Sequence, residues 1–225
     1  MPSSICSALL IISLVGLSGC GQRRSPKSSL AYNYYHQALV AAEKNPREAL
    51  DLIEKSLLEQ TLPRALVFKA TLLFQVEKYL ESVTLFEKII SDKRIPPTLK
   101  TDAKNNYACV LVALGKLAAA EELWRSLTAD RHYLSPEVAW LNIGLLKLNQ
   151  QDYRAAAQAF NQALRIANDY VDAYYYLALV LTRLHEWQTA RQTLHNLLNI
   201  VPDHAAAQKL LSEINVANAR GSALS

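Results

Sequence analysis

Trp140-Leu141-Asn142-Ile143-Gly144, then Gln151-Asp152-Tyr153, then Ala156, Phe160 and Ala163 at spacings of four and three: the stretch that ends at Ala167-Asn168-Asp169 decides the fold. Apolar residues recurring every three or four positions place one stripe on each of two consecutive helices. The pattern begins again at Tyr174, 34 residues after Trp140, with Leu177 and Ala178 where Ile143 and Gly144 stood. Trp187, Ala190, Leu194 and Leu197 follow in step, and Pro202 closes the unit. Small residues such as Gly144 and Ala156 let the two helices of a pair approach, while Trp140, Tyr153 and Phe160 fill the space around that contact. One pair cannot bury both of its apolar faces, so pairs must stack on their neighbours.

A period of 34 in which bulky, small and turn residues recur in phase resembles the tetratricopeptide repeat. The resemblance implies an all-α chain: an α-solenoid of about five helical hairpins plus a C-terminal capping helix, with binding as its role.

Working outward, the punctuation sets the helix count. Pro46, Pro63, Pro96, Pro97, Pro136 and Pro202 all lie between apolar-periodic runs, where proline can open a helix. Helices are expected near 29–43, 47–59, 63–76, 79–91, 98–114, 117–128, 136–149, 153–167, 170–184, 187–200 and 203–217. The small residue of each second helix recurs at Ala49, Ser82, Ala120, Ala156 and Ala190, spacings of 33, 38, 36 and 34 that make the first three repeats irregular. Those repeats also lack an opening Trp, and Gln37 stands where glycine or alanine is usual. Gly115 suits a turn because it tolerates a positive φ. Asp203 is placed to cap the last helix, whose Ala206, Leu210, Leu211 and Ile214 share one face.

The N-terminal end has a different character. Residues 1–19 contain no Lys, Arg, Asp or Glu and carry an apolar run from Ala8 to Leu17, followed by Ser18-Gly19-Cys20. About ten apolar residues are too few to span a bilayer and suit the core of a secretory signal. The run ends in what resembles a bacterial lipobox, in which the cysteine is acylated and becomes the mature N-terminus. The segment Met1–Cys6 departs from that pattern by lacking basic residues, and an ordinary cleaved signal or a short buried helix remain the alternatives. The organisation expected is a lipoprotein signal peptide over 1–19, an acylated Cys20 and flexible tether over 20–29, the solenoid over 30–217 and a disordered tail over 218–225. Gly21 after the cysteine, in place of aspartate, leans towards the outer membrane within the lipoprotein resemblance. In the tether, Arg23, Arg24 and Lys27 either meet anionic head groups or are simply solvated.

Composition narrows the function classes. The net charge of +4 over 225 residues includes no dense basic run with interleaved aromatics, which disfavours nucleic acid as a partner. With Cys6 in the signal and Cys20 acylated, Cys109 has no internal disulfide partner and reads as a packing residue. His36, His132, His185, His195 and His204 show no paired spacing of the kind that builds a zinc site, so no metal or cofactor is expected. No Ser-His-Asp arrangement, phosphate loop or isolated acid pair points to an enzyme.

The surface that remains is the one the repeat offers. In the tetratricopeptide family the first helix of each pair lines a concave groove, and by the register of the repeat those positions are Tyr34, Val67, Thr71, Asn105, Cys109, Leu141, Leu145, Tyr175 and Leu179, with Asn106, Asn142 and Tyr176 one step round. About half of these are expected to be mostly buried against the neighbouring repeat. The set lacks the Lys and Arg residues that clamp a peptide's terminal carboxylate in the chaperone-docking branch. Its asparagines suit the backbone of an extended peptide, and Tyr175 and Leu145 supply apolar anchors. A lipobox, a short tether and a tetratricopeptide solenoid together resemble the type IV pilus pilotin lipoproteins. Asn105-Asn106-Tyr107 and Tyr133-Leu134-Ser135-Pro136 in the elongated third repeat add to that likeness. The resemblance implies a periplasm-facing scaffold on a membrane, binding another envelope protein and aiding assembly of a pilus, secretion or outer-membrane complex. The competing class is a cell-wall enzyme, or an adaptor or regulator of peptidoglycan hydrolases, whose lipoproteins share this architecture.

Overall fold

A computed structural model of the chain describes residues 26–222, and these form eleven α-helices with no strand among them. In chain order they are α1 (Pro26–Ala42), α2 (Pro46–Glu59), α3 (Pro63–Gln75), α4 (Tyr79–Ser91), α5 (Pro97–Ala113) and α6 (Leu117–Thr128), followed by α7 (Pro136–Asn149), α8 (Tyr153–Ile166), α9 (Val171–Arg183), α10 (Trp187–Ile200) and α11 (Ala205–Ser222). Five hairpins and a closing helix are thus the observed architecture. The expected signal peptide, Cys20 and all of the tether before Pro26 lie outside the described residues, as do the last three residues of the tail. At both ends the helices run past the expected bounds: α1 begins at Pro26 rather than Ser29, and α11 continues to Ser222.

Proline and capping residues set the starts. Pro46, Pro63, Pro97 and Pro136 each occupy the first turn, where a missing N–H leaves nothing unbonded. Asn45 accepts from the Glu48 N–H at 3.3 Å, and Asp152 accepts from the Ala155 N–H at 3.1 Å, each satisfying one open donor. Two expectations change here. Pro202 lies in a turn and opens no helix. The cap of α11 is His204, not Asp203: His204 Nδ1 accepts from the Ala207 N–H at 3.1 Å.

The hairpin turns follow one geometry four times. Glu77, Gly115, Gln151 and His185 all have positive φ, between 62° and 73°. The next N–H in each case reaches back five residues: Lys78 to Leu73 and Lys116 to Leu111 at 2.8 Å, Asp152 to Lys147 and Glu186 to Leu181 at 2.9 Å. This is the Schellman closure, which satisfies carbonyls left open at a helix end. The α1–α2 turn lacks it. There the Lys44 and Asn45 N–H groups both reach Ala41 O, at 3.1 and 2.8 Å. Gln37 is accordingly exposed, and Ala38 takes the fully buried place one residue later.

The chain divides into two compact units. One holds the described residues up to Leu123 together with Asp130–Tyr133; the other holds Trp124–Ala129 and the residues from Leu134 onward. In the first, α3 packs on α4 and also on α5; in the second, α7 packs on α8 and α9, and α9 on α10 and α11. First helices of successive hairpins therefore touch each other and form the inner layer of each unit.

All five predicted small positions, Ala49, Ser82, Ala120, Ala156 and Ala190, are fully buried. Ser82 brings a hydroxyl into that place and donates it to Ala70 O at 2.7 Å, so its burial leaves no open donor. Around these contacts lie Ile53, Phe68 and Phe86 in the first unit and Ile143, Phe160 and Leu194 in the second. Burying each contributes about 1.5–3 kcal/mol.

Candidate interaction surface

The inner layer of the first unit carries a polar strip. Asn106 Nδ2 donates to Thr71 Oγ1 at 3.1 Å, Thr71 Oγ1 donates to Val67 O at 3.1 Å, and Asn105 Nδ2 donates to Asn106 Oδ1 at 3.3 Å. The α3–α5 contact is thus sealed by side chains whose polar atoms are already engaged. Of the residues expected here, Val67, Thr71, Asn105 and Cys109 are buried, while Tyr34 and Asn106 are half-buried.

Three residues beyond that expectation, Tyr35, Arg64 and Asp102, interact beside it. Tyr35 stands edge-on to Phe68, ring centroids 6.1 Å apart. Burial pushes its hydroxyl upward, opposed by the charge of Arg64. Asp102, one helical turn before Asn106, is half-buried; burial raises its carboxyl above the ordinary range, again against the pull of Arg64. One exposed guanidinium therefore acts on a ring and a carboxylate together. The signal in the sequence was positional, since Arg64 and Asp102 each precede a groove position by three residues.

In the second unit the inner layer is aromatic. Tyr176 stacks on Phe160 at 5.9 Å and 21°, Tyr175 meets Tyr176 edge-on at 5.5 Å, and Tyr175 lies 5.7 Å from the His204 ring at the start of α11. Tyr175, Tyr176 and Leu179 are half-buried, whereas Leu141, Asn142 and Leu145 are buried. The register thus separates into two roles, with aliphatics and Asn142 holding α7 in the core and the tyrosines of α9 facing outward. The Tyr176 hydroxyl is raised by burial and then by Asp172 and Tyr175. Tyr170, just before α9, has a buried hydroxyl with no hydrogen-bond partner, raised by burial and by the carboxylates of Asp172 and Glu137. Neither Tyr170 nor His204 was found from the repeat register, because both sit in turns outside it.

Among the described residues no three of His, Cys, Asp and Glu come together in a way that would hold a metal ion. No described helix is long and apolar enough to cross a membrane.

Stacked hairpins with a side-chain-rich inner layer define a helical-repeat protein. Residues 147–214 match the tetratricopeptide-repeat family, and the described residues have the tetratricopeptide-repeat fold. Among solved structures it is similar to a thermophilic tetratricopeptide-repeat protein of Thermus thermophilus, with 17% identity, 83% of this chain and 99% of that one covered, and a TM-score of 0.65. It is similar also to PilW, a widely conserved type IV pilus biogenesis factor, at 16% identity over 83% of this chain and 92% of that one, TM-score 0.62. A third likeness is to MamA from Desulfovibrio magneticus, at 17% identity over 81% and 99%, TM-score 0.58. At such identities the likeness is one of fold. No curated protein matches the sequence.

Proposed function

We propose that the protein is a membrane-anchored scaffold of the bacterial envelope. It holds a segment of another envelope protein against the inner layer of its first helices and so aids assembly of a pilus, secretion or outer-membrane complex. The observation that carries this reading is the partial exposure of Tyr34, Asn106, Tyr175 and Tyr176 on the first helices, while Val67, Thr71, Asn105, Leu141 and Leu145 are buried. Rings and an amide left at a packed surface are what recognition of an extended peptide needs. The apolar run ending at Cys20 supports anchoring, and the fold shared with PilW supports the pilus branch. Confinement to a membrane raises the effective concentration of a partner without any new contact, so modest intrinsic affinity suffices.

Two experiments test the two halves. Metabolic labelling with a palmitate analogue is expected to mark the native chain in the membrane fraction and to fail on Cys20→Ser; equal labelling of both removes the anchor. A photo-crosslinking residue at position 175 or 106 is expected to capture one envelope protein that the same residue at the exposed position 80 does not. Capture of a peptidoglycan hydrolase would assign the adaptor role instead. Identical capture from all three positions would end the groove assignment.

A further inference from the structure

The inner layer contains a second register that the groove positions do not show. Ala65, Ala103, Ala139, Ala173 and Ala207 are all fully buried, one on the first helix of each later hairpin and one on the closing helix. The residue just before each is Arg64, Asp102, Val138, Asp172 and Ala206, the same register position on successive inner helices. The groove positions follow at three and four residues, giving Asp102-Ala103-Lys104-Asn105-Asn106 on α5 and Asp172-Ala173-Tyr174-Tyr175-Tyr176 on α9. Residues at those spacings share a helix face, so each aspartate sits one turn below its groove pair.

The two aspartates differ in what lies beside them. In the first unit α3 packs on α5 and places Arg64 in the row next to Asp102, where its charge acts on the carboxyl and on Tyr35. In the second unit the row neighbours of Asp172 are Val138 on α7 and Ala206 on α11, which both pack on α9 and carry no charge there. The charges acting on the adjacent Tyr170 and Tyr176 are carboxylates, Asp172 and Glu137. Neither carboxylate has an ion pair or a side-chain hydrogen bond among the described residues. The second unit thus repeats the carboxylate of the first, with tyrosines where the first has Asn105 and Asn106, but without its guanidinium, in a chain whose net charge is positive.

We propose that the face formed by Asp172, Tyr175 and Tyr176 binds a Lys or Arg side chain of an extended partner peptide, which supplies in trans the cation that Arg64 supplies in cis. The half-buried Tyr175 ring, held by Tyr176, attracts the cation while Asp172 takes the charge. The inference rests on the inner layer being the binding surface and specifies the chemistry recognised there.

The test is to pan a display library of random seven-residue peptides on the full chain in detergent, then on Asp172→Asn. Peptides selected by the native chain are expected to carry Lys or Arg at one fixed position. Replacing that residue by citrulline, neutral but nearly isosteric with arginine, is expected to weaken binding by about fivefold or more, the effect of one good ion pair. Asp172→Asn is expected to do the same, with affinity falling as salt rises. Because the citrulline arm leaves the protein unaltered, the answer does not depend on how well the variant folds. Selected peptides without a fixed basic residue, or citrulline peptides that bind equally well, overturn the proposal. If such neutral peptides are still lost on Tyr175→Ala, the groove stands and only its basic specificity fails. If Tyr175→Ala changes nothing, the groove fails as well.

Discussion

Gly144 leaves the space that the Phe160 ring fills: a Cβ at position 144 would meet ring atoms Cδ1 at 2.6 Å and Cζ at 2.9 Å. The small residue on α7 thus serves the aromatic of α8 directly. One repeat later the equivalent positions hold Ala178 and the smaller Leu194, and both are fully buried. The pairs Gly–Phe and Ala–Leu conserve volume across the same contact. Gly144→Ala is therefore expected to destabilise the chain by about 1–3 kcal/mol through overpacking. Adding Phe160→Leu recreates the pair found one repeat on and should recover much of that loss. Thermal or denaturant midpoints of the two single variants and the double variant supply the cycle; strictly additive losses would show that the two residues are not coupled.

The hairpin turns give two substitutions of opposite sign. Gly115 has φ 73° and no atom within 4 Å of an added Cβ, so Gly115→Ala meets a backbone penalty without a clash. The cost expected is about 1 kcal/mol. Gln151 holds φ 62° with a side chain, and Gln151→Gly should stabilise by about 0.5–1 kcal/mol despite the looser unfolded chain. Equal signs for the two variants in urea melts would contradict the shared turn geometry.

Much of this architecture was legible because packing and proline placement are local matters. The five small positions of the second helices could be read from their recurrence, and burial confirms each, including Ser82, whose hydroxyl found a carbonyl. The positive φ at Gly115 was legible because glycine advertises it; at Glu77, Gln151 and His185 the same geometry is imposed by five-residue hydrogen bonds and hides behind ordinary side chains. Gln37 misled for the related reason that a different turn shifts the register of α1 by one, which only the closed hydrogen bonds reveal. The groove was legible as a set of positions. Its division into buried Leu141, Asn142 and Leu145 and outward Tyr175 and Tyr176 depends on how closely α7 and α9 pack, which no single repeat contains. The row of Arg64, Asp102 and Asp172 was missed because charge on a helix surface reads as solvated until a neighbouring helix is placed beside it.

Tyr107 provides a test at alkaline pH. Its hydroxyl donates to Glu87 Oε1 at 2.8 Å, and its ring stacks on Phe86 at 6.1 Å. Burial first, then the hydrogen bond and charge of Glu87, push the hydroxyl from 10.0 up to about 12. Both effects favour the protonated form in the folded state. The associated stability is complete below the unfolded value of 10 and is lost as pH rises towards 12. Phenolate absorbance should therefore show Tyr107 among the late-titrating tyrosines as a component missing from Tyr107→Phe, and Glu87→Gln should bring that component down. A Tyr107→Phe chain whose stability falls just as steeply between pH 10 and 12 would assign the effect to another group.

Leu145 and Tyr175, two groove positions of the same unit, are expected to answer mutation in opposite ways. Leu145 is only 5% exposed, so Leu145→Arg carries an unpaired charge into the contact of α7 with its neighbours. A loss of several kcal/mol is expected, visible as a large drop in the helical melting temperature, and any loss of partner binding would then be secondary to unfolding. Tyr175 is half-buried and touches Tyr176 and His204 at ring distances of 5.5 and 5.7 Å. Tyr175→Ala removes those two edges but opens no enclosed cavity, so a cost of about 1–2 kcal/mol should leave the fold intact. Circular dichroism melts of the two variants, followed by partner crosslinking of those that remain folded, separate a core residue from a recognition residue. A melting temperature for Tyr175→Ala as low as that of Leu145→Arg would place the tyrosine in the core and remove it from the binding surface.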